Sequence, residues 1–193
     1  MSIDFQRYLA AKKSVDDRAL NRRVWDCLVD QVKGKGRQRP LRVLEIGAGI
    51  GTMLERLLAW GLTPSIDYTG IDARAENVQA ATQRLPAWAH EHGYQTSLHQ
   101  GELKLSQGQV SVKARFIAED AFAFMARETA QQRYDLMIAQ AFLDLVEISE
   151  AVPALMRSLV PGGLFYATLN FDGVTIFEPE LDPAFDAEIM ARY

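Results

Sequence analysis

From Asp4 to Gln31 the apolar residues recur at helical spacing, with Val24, Cys27, Leu28 and Val32 on one stripe. That pattern predicts two consecutive helices. Asp16 or Asp17 would cap the second, and Arg22 and Arg23 would lie on its wet face. Gly34 to Pro40 is a polar linker. The pattern then changes. Leu41-Arg42-Val43-Leu44-Glu45-Ile46 is an apolar run closing on a carboxylate, followed by Gly47, Gly49 and Gly51 at alternate positions. A helical period resumes at Thr52, burying Met53, Leu54, Leu57 and Leu58, and Gly61 ends it. A buried strand, a tight turn and a helix N-terminus are predicted. The glycines allow a sharp turn and a close ligand approach. The first amides of the helix favour a carboxylate or phosphate.

The strand Ile66–Asp72 follows and ends in an acid about 20 residues beyond the glycine turn, the place of a ribose-binding group. Capping the next helix is the competing role for Asp72. That helix runs from about Arg74 towards His92, with a kink or restart expected at Pro86. Leu103/Leu105 and Val110/Val112 alternate with polar residues around Gln107-Gly108, which predicts a β-hairpin leading into a third core strand, Arg115–Ala118. Asp120 closes that strand and opens a helix through Phe124, Met125 and Arg127. A fourth strand spans Tyr134–Ala139, and a helix from about Ser149 to Leu159 tolerates Pro153 in its first turn. Pro161-Gly162-Gly163 turns the chain into a fifth strand ending near Asn170, and the tail closes on a helix from Ala184 to Arg192.

Length and composition narrow the class. A chain of 193 residues, 48% hydrophobic and 24% charged, makes one globular domain with a real core. A formal net charge of -4 speaks against broad binding to nucleic acid or anionic membrane. No apolar run is long enough to span a bilayer, and the first residues lack a signal-peptide pattern. Cytoplasmic location is therefore expected. Cys27 is the only cysteine and is expected to be a buried structural thiol. His90, His92 and His99 show no metal-ligand spacing and are expected at the surface.

The glycine spacing carries the chemistry. Dinucleotide folds use G-x-G-x-x-G, whereas this chain has Glu45-x-Gly47-x-Gly49-x-Gly51. With Asp72, Asp120, the Tyr134–Ala139 strand and Leu159-x-Pro161-Gly162-Gly163, the pattern resembles the class I S-adenosylmethionine (SAM)-dependent methyltransferases over residues 41–170. The resemblance implies an α/β, doubly wound, Rossmann-like parallel sheet of core order 3-2-1-4-5 with helices on both faces. The hairpin before strand three is an addition. SAM is the implied cofactor and S-adenosylhomocysteine its product. The implied cofactor-binding residues are Glu45, Gly47, Ala48, Gly49, Gly51, Asp72, Ala73, Asp120, Ala121 and Gln140. Within them the glycine turn would hold the methionine moiety, Asp72 the ribose and Asp120 the adenine, with Gln140 beside the sulfonium. The N-terminal helices would lie over the site, with Tyr8, Lys12 or Lys13 facing it. Phe142 and Asp144 stand where substrate could reach, and Asp144 serves equally well as a helix cap.

The family sheet carries two further strands after the fifth, and the pattern shows neither. Strands six and seven are therefore expected to be absent, and the chain to be a fragment or its open edge to be covered by another chain, including self-association. One SAM-binding domain is expected over residues 1–193: N-terminal helices to 36, a core over 41–170 and an incomplete tail over 171–193. A small molecule is the expected methyl acceptor, because no Asn-Pro-Pro-aromatic motif follows strand four. Three other readings stand beside it: a non-catalytic SAM-binding module, an NAD-binding oxidoreductase and an aminopropyltransferase. No metal site is expected, and no residue is assigned as catalytic.

Overall fold

The structure, a computed structural model, describes residues 5–34, 38–127, 132–169 and 182–192. Its elements in chain order are α1 (Phe5–Ala19), α2 (Arg22–Gly34), β1 (Leu41–Ile46), α3 (Thr52–Ala59), β2 (Ser65–Asp72), α4 (Ala75–Glu91), β3 (Gln95–His99), β4 (Glu102–Gln107), β5 (Val110–Ala118), α5 (Ala121–Met125), β6 (Tyr134–Gln140), α6 (Ile148–Ser158), β7 (Leu159–Thr168) and α7 (Pro183–Arg192). The strands form one sheet in the order β3-β4-β5-β2-β1-β6-β7. From β5 to β7 every pair is parallel, and this part has the expected core order.

The expectation that strands six and seven are absent is overturned. The sheet has seven strands, and β6 and β7 pair in parallel. The miscount has a physical cause. Val110–Ala118 is one continuous strand, antiparallel to β4 on one side and parallel to β2 on the other. It therefore serves as both the second hairpin arm and the third core strand. Beyond β4, β3 exposes all five of its residues, so it lacks the alternating buried face by which a strand is read from sequence.

Successive residues of a strand point to opposite faces, and the core divides accordingly. On one face Leu41, Val43, Ile66, Tyr68, Val112 and Ala114 pack with Trp25 and Leu28 of α2, Leu54 and Leu57 of α3, and Leu85 of α4. On the other, Leu44, Ile46, Ile71 and Met137 pack with Phe124 and Met125 of α5 and Leu155 of α6. Helices thus cover both faces.

Local details differ from the sequence pattern in informative ways. The buried stripe of α2 is Trp25, Leu28 and Val32, while Val24 is exposed. Leu28 and Val32 keep to the expected stripe, but Trp25 takes the place of Val24, and its ring stands edge-on to Trp60 at 5.0 Å. Cys27 is exposed, not buried. Asn21, not Asp16 or Asp17, caps α2, its Oδ1 accepting from Arg23 N at 3.0 Å. α4 runs through Pro86 without a restart. Pro161-Gly162-Gly163 lies inside β7, at a register irregularity against β6, instead of forming a turn before it. His90, His92 and His99 are exposed. Among the described residues no helix is long and apolar enough to cross a membrane, and no group of side chains is arranged to hold a metal ion. Asn170 and most of the expected tail lie outside the described residues.

Candidate functional site

A parallel sheet delivers its loops to the carboxyl ends of its strands, and a crevice opens where the strand order reverses. Here β1 connects to β2 on one side while β6 lies on the other. At that place there is a cleft of about 580 Å3, within the range usual for small-ligand sites. Its floor is made by Gly47 and Gly49 after β1, Ile71 to Arg74 and Asn77 at and after the end of β2, Glu119 to Ala121 after β5, and Gln140 to Phe142 at and after the end of β6. Phe5, Tyr8, Leu9 and Lys12 of α1 form its roof.

The turn after β1 is tied to the end of β2. Ala48 N donates to Ile71 O at 2.9 Å, and Gly49 N donates to Asp72 Oδ2 at 2.8 Å. The other oxygen of Asp72 accepts from Arg74 N at 2.9 Å and Asn77 Nδ2 at 3.0 Å. One side chain therefore fixes the glycine turn and organises the start of α4. A carboxylate has about four lone-pair sites, so three bonds leave room for one more donor. Asp120 caps α5, accepting from Ala123 N at 2.9 Å through Oδ1.

α1 buries no residue and is fastened by polar contacts. Gln6 Nε2 donates to Asn77 Oδ1 at 2.9 Å, the Arg74 guanidinium lies 4.5 Å from the Phe5 ring centre, and Arg56 Nε donates to Asp17 Oδ1 at 2.5 Å. Arg56 is itself 2% exposed and reaches on to Gln140 Oε1 at 3.1 Å. Lys13 faces Asp17 at 2.9 Å and Glu55 at 3.8 Å and does not line the cleft. The buried Glu55 carboxyl is raised above its usual range by burial, opposed by Arg84 at 2.6 Å.

Of the residues expected at a cofactor site, the structure brings together Gly47, Gly49, Asp72, Ala73, Asp120, Ala121 and Gln140. Glu45, Ala48 and Gly51 do not line the cleft. Gly51 faces α4 instead, where an added Cβ would stand 2.8 Å from Leu85 Cδ1. Asp144 lines neither this cleft nor its neighbour. Phe5, Leu9 and Leu145 were not foreseen. Phe5, Tyr8, Leu9 and Lys12 fall at i, i+3, i+4 and i+7, so the α1 face was legible as one stripe.

Glu45 lies behind the cleft wall. It is buried beneath the turn and accepts a short hydrogen bond from the Tyr68 hydroxyl. Burial pushes its carboxyl up to about 8, reinforced by Asp72 and opposed by the Tyr68 bond and by Arg56. The folded chain therefore holds a proton that an ordinary glutamate near 4.5 releases. Its contribution to stability is full below that value and lost as pH rises towards 8. Glu45→Gln is expected to remove this slope and raise stability at neutral pH by on the order of 2 kcal/mol. Urea unfolding across the window checks it; an unchanged slope would show that Glu45 is ionised in the fold.

The sequence matches the family described as Methyltransferase domain over residues 44–165, more than half of the chain. The protein belongs to that family. Among curated proteins none matches it. Similar solved structures include the [4+2]-cyclase SpnF, 20% identical at a TM-score of 0.50, covering 79% of this chain and 47% of that one. Another is the complex of the Haloferax volcanii Trm112 methyltransferase activator with a candidate methyltransferase, 19% identical at 0.50, covering 87% of this chain and 59% of that one. A third is the plantazolicin methyltransferase BpumL with a pentazolic desmethylPZN analogue and SAH, 21% identical at 0.42, covering 82% and 43%. At these identities the likeness is one of fold. The chain spans about half the length of the solved structures it matches.

Proposed function

We propose that this domain binds SAM in the cleft beneath α1 and transfers its methyl group to a small-molecule acceptor. The observation that carries the reading is the join between Asp72 and the glycine turn: Gly49 and Asp72 are bonded at 2.8 Å on the floor of one cleft. Family membership supplies the reaction class. The residues fit the cofactor. Gly47 and Gly49 present backbone without a Cβ, Asp72 keeps a site for a ribose hydroxyl, and Asp120 and Ala121 stand beyond β5 where an adenine ring would lie. Gln140 and Phe142 close the end nearest the reacting carbon. One SAM-binding domain over residues 1–193 belongs to the same reading.

SAM supplies an electrophilic methyl on a sulfonium, whose leaving group is a neutral thioether. The protein then has little acid–base work to do. It must align the nucleophile in line with the methyl–sulfur bond and keep water out. The α1 roof, with Phe5, Tyr8 and Leu9 over the cleft, serves the second task. A base is needed only if the acceptor loses a proton.

Isothermal titration with SAM, S-adenosylhomocysteine and NAD in parallel tests the reading. Binding of the first two and not the third is expected; binding of NAD alone would overturn it. Asp72→Ala should weaken S-adenosylhomocysteine by about 1–3 kcal/mol, roughly fivefold to 150-fold. The loss combines the ribose bond with a loosened turn, so Asp72→Asn, which keeps one acceptor oxygen, should fall between. Wild-type affinity in the alanine variant would remove Asp72 from the site.

A further inference from the structure

The roof is fastened to the floor at its two ends, and the fastenings differ in strength. At the C-terminal end of α1, Asp17 pairs with the buried Arg56. At the N-terminal end, Gln6 Nε2 donates to Asn77 Oδ1 at 2.9 Å, and the Phe5 ring lies beside the Arg74 guanidinium. A neutral amide bond and an exposed cation–π contact are each weaker than a charge-assisted bond to a buried guanidinium. α1 buries no residue that would hold it independently of these contacts. Its first turn, which carries Phe5 and leads to Tyr8 and Leu9 over the cleft, is thus the weaker end.

Both partners of that weaker end hang on one carboxylate. Asp72 Oδ1 accepts from Arg74 N at 2.9 Å and from Asn77 Nδ2 at 3.0 Å. An ionised carboxylate accepts and does not donate, so the Asn77 NH2 is turned to Asp72 and its oxygen is turned to α1. Asn77 is 3% exposed and sits in the first turn of α4, where its N donates to Arg74 O at 3.1 Å. One buried amide therefore joins the carboxylate on the floor to the first turn of the roof. Gln6, on the other side of that amide, does not line the cleft.

We infer that Asn77 is a positioning residue and that its bond to Gln6 is the latch of the roof. The cofactor leaves the cleft when the first turn of α1 lifts off Asn77, with the Asp17–Arg56 pair as the pivot. This rests on the SAM-binding reading, which places the ribose on Asp72. A ribose hydroxyl on Asp72 and closure of the roof then draw on one hydrogen-bonded unit. The competing use of the Gln6–Asn77 bond is to pin α1 to α4 with no bearing on ligand exchange.

The test uses the whole chain with S-adenosylhomocysteine as the ligand. Association and release rates are read by surface plasmon resonance, and amide exchange over residues 5–19 by mass spectrometry. Gln6→Met keeps the length and helix preference of the side chain and removes the donor. It should speed release about twofold to tenfold, the span of one neutral hydrogen bond. Association should be no slower than in the wild type, and exchange should quicken over residues 5–12 but not over 13–19. Gln6→Lys restores a donor of similar reach and should return release towards the wild-type rate. Asn77→Ala removes both arms of the amide, and adding Gln6→Met to it should speed release no further, because the two changes delete one bond. Wild-type release in Gln6→Met overturns the inference; if exchange over residues 5–12 has quickened all the same, the bond pins α1 without gating the cleft. Release as fast in Gln6→Lys as in Gln6→Met also overturns it, as does a fully additive double variant. A wild-type chain that binds no S-adenosylhomocysteine removes the cofactor reading itself, and this inference with it, whereas a wild-type chain that binds while Gln6→Met releases no faster removes the latch alone.

Discussion

Gly51→Val is expected to destabilise the fold by about 2–5 kcal/mol, while Gly49→Val leaves most of the stability and removes cofactor binding. Both glycines belong to one motif and both hold a left-handed backbone, with φ of +82° and +53°. A β-branched residue there costs about 1–2 kcal/mol for the backbone alone. The surroundings separate them. A Cβ on Gly51 would stand 2.8 Å from Leu85 Cδ1 and 3.2 Å from Phe116 Cζ. Leu85 is fully buried in the core beneath α4, and overpacking a filled core adds about 1–3 kcal/mol. A Cβ on Gly49 meets only Leu9 Cδ1 at 3.5 Å, an ordinary contact, but it projects into the proposed cofactor cleft. Urea unfolding and S-adenosylhomocysteine calorimetry on both variants check the split. A Gly51→Val chain as stable as the wild type would mean that α4 packs differently from the structure. A Gly49→Val chain that binds normally would place the cofactor elsewhere.

That contrast also marks how far the sequence could be read. The alternate glycines and the acid at the end of β2 were legible, because each leaves a local signature in spacing or composition; the order of the core strands came only with the family resemblance that those landmarks carry. What one motif glycine does against another was not. Gly49 and Gly51 look alike in sequence and differ only in what α1 and α4 bring next to them. Glu45 is a second case. An acid ending an apolar run reads as a ligand, and only the fold shows that its carboxyl is buried against the Tyr68 hydroxyl and raised by that burial. The added edge of the sheet was half legible: the turn at Gln107-Gly108 was clear, while β3, exposed at every position, had no pattern to show. The roof was foreseen by resemblance in Tyr8 and Lys12, but the means of attaching it was not. Asp17 reads as a helix cap, and Arg56 falls outside the apolar positions predicted for α3. They are 39 residues apart and meet only in the fold.

Asp17→Ala should therefore cost more than its position on a helix without buried residues implies. Arg56 is 2% exposed, and Asp17 Oδ1 is the only carboxylate oxygen bonded to it among the described residues. Breaking a buried pair from one side leaves an uncompensated charge, at about 3–5 kcal/mol. The Asp17 side chain is 26% exposed, so about 3 kcal/mol is expected. Lys13→Ala, which removes the more exposed partner of the same carboxylate, should cost less than about 1 kcal/mol. The pH dependence has a definite sign. Burial raises the Asp17 carboxyl, but hydrogen bonds from Arg56 and Lys13 outweigh it and the net shift is downward. Its stabilisation is therefore present above the ordinary value of 3.8 and is lost as pH falls through the lower folded value. Asp17→Ala should abolish that acid-side slope and release α1 first, seen as faster amide exchange over residues 5–19. The decisive comparison is the double variant with Arg56→Met, which removes the stranded charge and keeps an apolar side chain in its place. It should recover most of what Asp17→Ala loses, because the cost lies in the unpaired cation and not in the missing bond. A double variant that shows the plain sum of the two single losses would mean that Asp17 and Arg56 do not act on one another, and that the roof over the cleft is held by some other contact.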